Sequence, residues 1–331
     1  MSEGNSSAPV SFGVVGPGRA AARFAKGLSG VEGAVLDAVW GRDAARAEAF
    51  AERFAVPFPM ATLDELLGSR IEAVYIATHP DTHAELTIAA LGAGKHVMCE
   101  KPAALNAAEV RRVVAMARER GLLYMEAMKP PFFPLYRELR AQLEHEPIGP
   151  VGFVRAGHCD ARLAPDYPLH FRELGGGGVM GIGPYEAFLA LEWLGPLKNL
   201  QVMGRLSAAG VDNFALFQTE HERGMAQLHT GLDLLSRGDA LLCGPLGYAA
   251  IHENWWNPTH ATVVYNSGHR VELHAPFDHG GFNYETEHFC ALIREGRAES
   301  PVISHGLSIA MAELLEQART ALGVRFDGDA D

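Results

Sequence analysis

Residues 16–21 read Gly-Pro-Gly-Arg-Ala-Ala. They follow the apolar run 10–15, VSFGVV, and open the alanine-rich stretch 19–28. A G-x-G-x-x-A turn between a strand and a helix narrows the possible folds sharply, because each small residue has a steric reason. Gly16 takes the tight turn, Gly18 lets the main chain approach a pyrophosphate, and Ala21 lets the helix pack close on the sheet. The first helical N–H groups, at Arg19 and Ala20, lack intrahelical acceptors and sit at the positive end of the helix dipole.

The turn is set in a regular alternation. Apolar runs at 34–40, 73–78, 96–99 and 122–127 alternate with helical stretches. Asp43, Thr62 (with Glu65), Thr82 (with Glu85) and Asn106 are read as helix N-caps. The apolar runs are nearly continuous, as strands covered on both faces require. The pattern over residues 10–128 predicts a doubly wound parallel sheet of the Rossmann kind. After MKPPFFP, residues 128–134, one helix leads to strand-like segments near 151–160, 199–206, 213–219, 224–232, 246–252, 260–265 and 270–274. A glycine-rich turn and helix fall at 175–194, and helices at about 284–296 and 306–322 close the chain. The expected architecture is α/β: a disordered tail at 1–9, the Rossmann domain at 10–128, and at 129–331 an α+β domain with a largely antiparallel open sheet for substrate binding and oligomerisation.

With 331 residues, the chain suits two cores. Its formal net charge of -12 repels phosphate backbones and anionic lipid, so nucleic-acid and membrane partners are excluded and a small-molecule substrate is expected. MSEGNSSAPV has no apolar core of a signal peptide. Four cysteines, at 99, 159, 243 and 290, form no C-x-x-C pair, which fits reduced thiols and a cytoplasmic location. The histidines of the second half show no metal-binding spacing, so no metal is expected. Trp255 and Trp256 are either a stacking platform or a buried aromatic pair.

The second strand ends Trp40-Gly41-Arg42-Asp43. Gly41 stands where an acid would accept ribose hydroxyls, and Arg42 follows with a guanidinium suited to a 2′-phosphate. NADP is therefore the expected cofactor, with NAD possible. Thr78, His79 and His83 fall at the end of a strand, where such sheets bind ligands. So does the segment KHVMCEKPAAL, 95–105, which places Glu100 and Lys101 side by side ahead of Pro102.

GPGRAA together with GKHVMCEKPAALN resembles the glucose–fructose oxidoreductase / inositol dehydrogenase (MocA) family, and the C-terminal segment FNYETEHFCALIREGRAESPVISHGLS resembles its dihydrodiol dehydrogenase-like branch. The resemblance covers nearly all of the chain. It implies that Lys101 lies beside nicotinamide and substrate and shuttles the hydroxyl proton. It also implies that Glu100 positions backbone or cofactor, that Thr78, His79 and His83 lie near the nicotinamide ribose, with His83 ordering that turn rather than performing chemistry, and that Tyr185 is the second catalytic group. Gly181 stands where the family pattern has an aspartate. Lys129 and Arg172 are candidate substrate contacts. The implied activity is NADP(H)-dependent hydride transfer on a secondary alcohol or carbonyl of a sugar, cyclic polyol or vicinal diol, in a homodimer or higher homo-oligomer. Two rivals stay open at this point: a glycoside-cleaving enzyme with tightly bound nicotinamide, and a non-catalytic NADP-sensing regulatory protein.

Overall fold

The structure is a computed structural model that describes residues 8–327 and 329. The expected disordered tail lies outside the described residues over 1–7. The first half runs β1 (Val10–Val15), α1 (Arg19–Leu28), β2 (Ala34–Trp40), α2 (Ala44–Phe54), β3 (Phe58–Pro59), α3 (Leu63–Gly68), β4 (Ala73–Ile76), α4 (Pro80–Gly92), β5 (His96–Glu100), α5 (Ala107–Arg120) and β6 (Tyr124–Ala127). The strands form one sheet in the order β3-β2-β1-β4-β5-β6, and every pairing in it is parallel. The order reverses at β1 and β4, where the outgoing connections cover opposite faces and leave a crevice at the strand C-termini. Phe12, Val14, Val74 and Met98 are fully buried, as a sheet covered on both sides demands.

Local chemistry sets the helix starts. Asp43 accepts the N–H of Arg46, Thr62 and Glu65 form a reciprocal capping box, and Asn106 accepts the N–H of Glu109. One start differs from the sequence reading: α4 begins at Pro80 with His79 as N-cap, two residues before Thr82. Proline is pre-set for a first helical position, where its missing N–H costs nothing. The Thr82 hydroxyl instead donates inside the turn, to Thr78 and to the His79 carbonyl.

Beyond β6 come α6 (Pro134–His145), β7 (Phe153–Cys159), α7 (Gly178–Gly181), α8 (Gly183–Leu194), β8 (Leu197–Leu206), β9 (Asp212–His221), β10 (Met225–Gly231), β11 (Ala240–Gly244), β12 (Gly247–Ile251), β13 (His260–Tyr265), β14 (Arg270–His274), α9 (Phe282–Arg294) and α10 (His305–Ala321). The eight strands order as β14-β13-β12-β11-β7-β10-β9-β8. All pairs are antiparallel except β7 with β10. β11 has no counterpart in the sequence reading, and the glycine-rich turn and helix expected over 175–194 hold two helices, α7 and α8, separated at Ile182. α8 and α10 cover one face of this sheet.

The C-terminal helices return to the first unit. α9 packs on α1, and the rings of Phe289 and Phe12 lie 6.0 Å apart. Glu299 bridges in parallel to Tyr124 at the edge of the first sheet. A division of the chain at 128/129 is therefore crossed in space by its own C-terminus.

Candidate active site

Two cavities open at the C-terminal edge of the parallel sheet. The first, about 680 Å³, is lined by the β1–α1 turn, the end of β2 and the start of α4. Gly16 has φ +90°, and a Cβ there would lie 2.7 Å from the Thr78 methyl and 2.9 Å from the Ala77 carbonyl oxygen, so only glycine fits. Gly18 differs: a Cβ would meet nothing nearer than 3.7 Å. The space over Gly18 faces the N-terminus of α1, which no side chain caps. An open cradle at an uncapped helix start fits the pyrophosphate of a dinucleotide. Gly41 has a packing cause, since a Cβ would lie 2.5 Å from Cδ of Pro17. A side chain cannot stand there, and the cations at this end are Arg42, before α2, and Arg46, in its first turn, while Asp43 between them is spent on the N–H of Arg46. Arg46 is a residue that the sequence reading missed; its signal is its place in the first turn of the helix that follows the second strand.

The second cavity, about 800 Å³, lies between the two sheets and holds Lys101, Lys129 and Tyr185 in its wall. Lys101 ends the β5 turn, and its peptide bond to Pro102 is cis. Its ammonium donates to the carbonyl oxygen of Gly181 at 2.5 Å and lies 4.7 Å from the centre of the Tyr185 ring. Burial pulls the Lys101 pKa below the ordinary lysine range, against the pull of Glu100. Tyr185 moves the other way: burial, then the charges of Glu100 and Glu285, raise its phenol well above the usual value. At neutral pH the tyrosine is a firm hydrogen-bond donor, and the lysine is the group nearer to releasing a proton.

A buried polar layer supports Lys101. Glu100 accepts from the Tyr75 hydroxyl at 2.5 Å and from the Lys101 N–H at 3.2 Å. Glu126, in the apolar β6, accepts from the Ala103 N–H at 2.9 Å, and burial pushes its pKa up to about 7. Lys129 donates to Asn257 Oδ1 at 2.7 Å and lies 4.6 Å from the Phe282 ring centre; burial lowers its pKa to about 8. Glu285 is fully buried behind it, and burial holds its carboxyl well above the ordinary range. The acids in the apolar runs LLYMEA and FNYETEHF are the sequence signal for this layer; the partners are not visible there.

The sequence candidates therefore separate. Gly16, Gly18, Arg42, Thr78 and His79 line the first cavity, and Lys101, Lys129 and Tyr185 the second. Arg19, Ala20, Glu100 and His83 line neither. The Arg19 guanidinium sits 5.1 Å over the Tyr167 ring, across the boundary between the sheets. His83 is buried and ties two turns, with Nδ1 2.8 Å from the Pro102 carbonyl oxygen and Nε2 3.3 Å from that of Thr78. Arg172 also stands outside both cavities, donating to the Arg325 carbonyl at 3.1 Å. The tryptophan pair divides: Trp255 is core, whereas Trp256 faces the second cavity and stacks on His158 at 3.7 Å. Leu169, unmarked in the sequence, explains Gly181, because a Cβ there would come within 2.4 Å of both Leu169 methyls.

Known proteins resemble this chain in sequence and in fold. The family model GFO/IDH/MocA, described as "Oxidoreductase family, NAD-binding Rossmann fold", matches residues 10–128. The trans-1,2-dihydrobenzene-1,2-diol dehydrogenase of Mus musculus is 33% identical, over 96% of this chain and 98% of that protein. The scyllo-inositol 2-dehydrogenase (NADP(+)) IolU of Bacillus subtilis is 29% identical, over 97% and 99%. Among solved structures, KijD10, a 3-ketoreductase from Actinomadura kijaniata in complex with NADP and TDP-benzene, is 26% identical and superposes with a TM-score of 0.84, over 95% of this chain and 98% of that one.

Proposed function

The chain belongs to the GFO/IDH/MocA family of nicotinamide-dependent oxidoreductases, and we propose that it is an NADP(H)-dependent enzyme acting on a secondary alcohol or carbonyl of a sugar, cyclic polyol or vicinal diol. The observation that carries the reading is the Lys101 ammonium: half-buried in the second cavity, hydrogen-bonded to a carbonyl and beside a protonated tyrosine. Relatives named for a diol, an inositol and a keto substrate support the substrate class.

The bound nicotinamide supplies a two-electron acceptor for a substrate C–H bond, or the donor in reverse. In the oxidative direction Lys101, as the neutral amine, takes the hydroxyl proton as the carbonyl forms. Its lowered pKa makes that amine available at lower pH than free lysine allows. Tyr185 donates its phenol hydrogen to the substrate oxygen and holds it toward Lys101. Glu100 fixes the Lys101 backbone through its N–H. In reduction Lys101 returns the proton to the forming alkoxide.

NADP rather than NAD rests on Arg42, with Arg46 alongside it and glycine at 41. Titration of nucleotide-free protein tests it: NADPH is expected to bind at least about tenfold tighter than NADH. Equal affinities, or a preference for NADH, sink the assignment. A homo-oligomer is supported by the open face of the second sheet, where Met225, Phe153, Cys243, Tyr248 and Val264 lie in register across five strands. Met203 on β8 is 73% exposed. Light scattering of the purified protein decides between one copy and several. Four unpaired thiols support a reducing, cytoplasmic setting; no helix among the described residues is long and apolar enough to cross a membrane.

A further inference from the structure

The second cavity carries an imbalance that hydride transfer does not use. Its wall holds four cationic side chains, Arg23, Lys26, Lys101 and Lys129, against one carboxylate, Asp160. Asp160 is already committed, accepting from the backbone N–H and Nε of Arg162. The chain as a whole runs the other way, with a formal charge of -12. Some arginines elsewhere find acids, as Arg111 does with Glu313, Arg112 with Glu85 and Arg155 with Asp239, while Arg23 and Lys26 are exposed to the solvent of the cavity. Among the described residues, Arg23 and Lys26 pair with none and donate no side-chain hydrogen bond. Two unpaired cations on a cavity wall of an acidic protein focus a positive potential into that cavity.

Their placement separates them from the cofactor. Both belong to α1, and Arg19, Arg23 and Lys26 fall along one face at helical spacing. Lys26 lies seven residues past the start of the helix, roughly 10 Å from the N–H groups that face the pyrophosphate. Neither residue lines the dinucleotide cavity, which has its own pair, Arg42 and Arg46. The Arg23 charge does reach the reaction site, where it acts on Lys101, Lys129 and Tyr185. Leu163, Leu169, Trp256 and Phe277 supply apolar wall to the same cavity.

We infer that the substrate of this enzyme is an anion: a hydroxyl- or keto-bearing compound whose carboxylate or phosphate is bound by Arg23 and Lys26 while its reacting carbon lies at Lys101 and Tyr185. This rests on the oxidoreductase reading above and narrows it, from polyols in general to acidic ones. A guanidinium and an ammonium side by side suit a phosphate or a carboxylate, and charge-assisted hydrogen bonds give either a larger share of the binding than a hydroxyl supplies.

The test is calorimetry on the NADPH-loaded full chain, because binding does not depend on turnover. The probes are glucose, glucuronate and glucose 6-phosphate, with inositol and inositol monophosphate as a second matched set. An anionic member of at least one set is expected to bind about tenfold or more tightly than its neutral partner. Preference for glucuronate identifies a carboxylate site, and preference for the phosphates a phosphate site. Arg23→Ala and Lys26→Ala are each expected to erase most of that preference while leaving NADPH affinity within about twofold, which also shows that the variants fold. Neutral and anionic probes binding alike, or not at all, overturns the inference. So does a loss in either variant that falls on NADPH instead, since the cations then serve the cofactor. Turnover of the same probes is read separately: absence of turnover for every probe counts against the substrate class proposed above, while the binding comparison still decides the charge.

Discussion

The two cavities share one sheet edge and are built in opposite ways. The dinucleotide cavity draws its walls from residues 16–86, in successive strand–helix turns of one continuous supersecondary pattern. The second draws on residues from Arg23 to Phe282, taken from α1, the β5 and β6 ends, the loop after β7, α8 and the approach to α9. In the first, glycine marks where backbone and ligand must approach, and the reason is local. In the second, each side chain depends on partners tens or hundreds of residues away. Lys101 meets Gly181, and Lys129 meets Asn257. Conserving the chemistry of the first needs a motif; conserving that of the second needs the whole tertiary arrangement.

Substitutions can break that contrast, and the largest effect belongs to Lys101. Lys101→Ala is expected to lower kcat roughly 10²- to 10⁴-fold, the usual range for losing a proton-transfer group, with NADPH affinity unchanged within a few-fold. Steady-state rates and a nucleotide titration on the same preparation check it; turnover at the wild-type rate would remove Lys101 from the mechanism. Next comes the packing that seats its carbonyl acceptor. Gly181→Ala drives a methyl into Leu169 and is expected to cost about 1–3 kcal/mol, measured by urea denaturation, with Leu169→Ala in the same chain restoring most of it. If the double variant is no better than the single, Leu169 is not what keeps residue 181 small.

The first cavity is sharpened by a smaller change. Arg42→Ala is expected to raise the NADPH Kd about tenfold and leave NADH almost untouched, because only the 2′-phosphate contact is lost. Similar losses for both nucleotides would mean that Arg42 stacks on the adenine instead. The smallest effect is a pH slope. Lys129 has its folded pKa lowered to about 8, so between about pH 8 and the free-lysine value near 10.4 the unfolded chain binds more protons. Stability from this residue therefore rises with pH across that window and is lost as pH falls through about 8. Lys129→Met is expected to flatten the rise in urea midpoints taken at pH 7 to 10; an unchanged slope assigns it to another group.

How far the sequence could be read follows the same division. The helix caps at Asp43, Thr62 and Asn106, the glycine turn and the first-half strands were legible because period, small residues and capping side chains act within a few positions. β11 was not: ALLCG is a short run without alternation, and it becomes a strand by pairing with β7, more than eighty residues earlier, and with β12. The two-residue β3 exists only through its pairing with β2. Lys101 and Tyr185 stood out by motif, and the structure places them in one cavity wall, whereas Arg172 shared their charge and polarity but turns to the C-terminal segment. His83 stands at the right strand end and its buried ring lies against the Pro102 and Thr78 carbonyls, as a turn-ordering side chain does.

By itself the sequence determined the parallel sheet, the dinucleotide turn and the presence of a lysine at the strand end. These are consequences of hydrophobic period and backbone sterics that operate over a turn or two. Only the tertiary structure decided which charges face one another. It brought Arg23 and Lys26 into one cavity wall with Lys101, set Leu169 over Gly181, and buried Glu285 behind Lys129. Burial and charge proximity are properties of three-dimensional neighbourhoods, so the pKa values and charge balance on which the chemistry depends appear only when distant segments have packed.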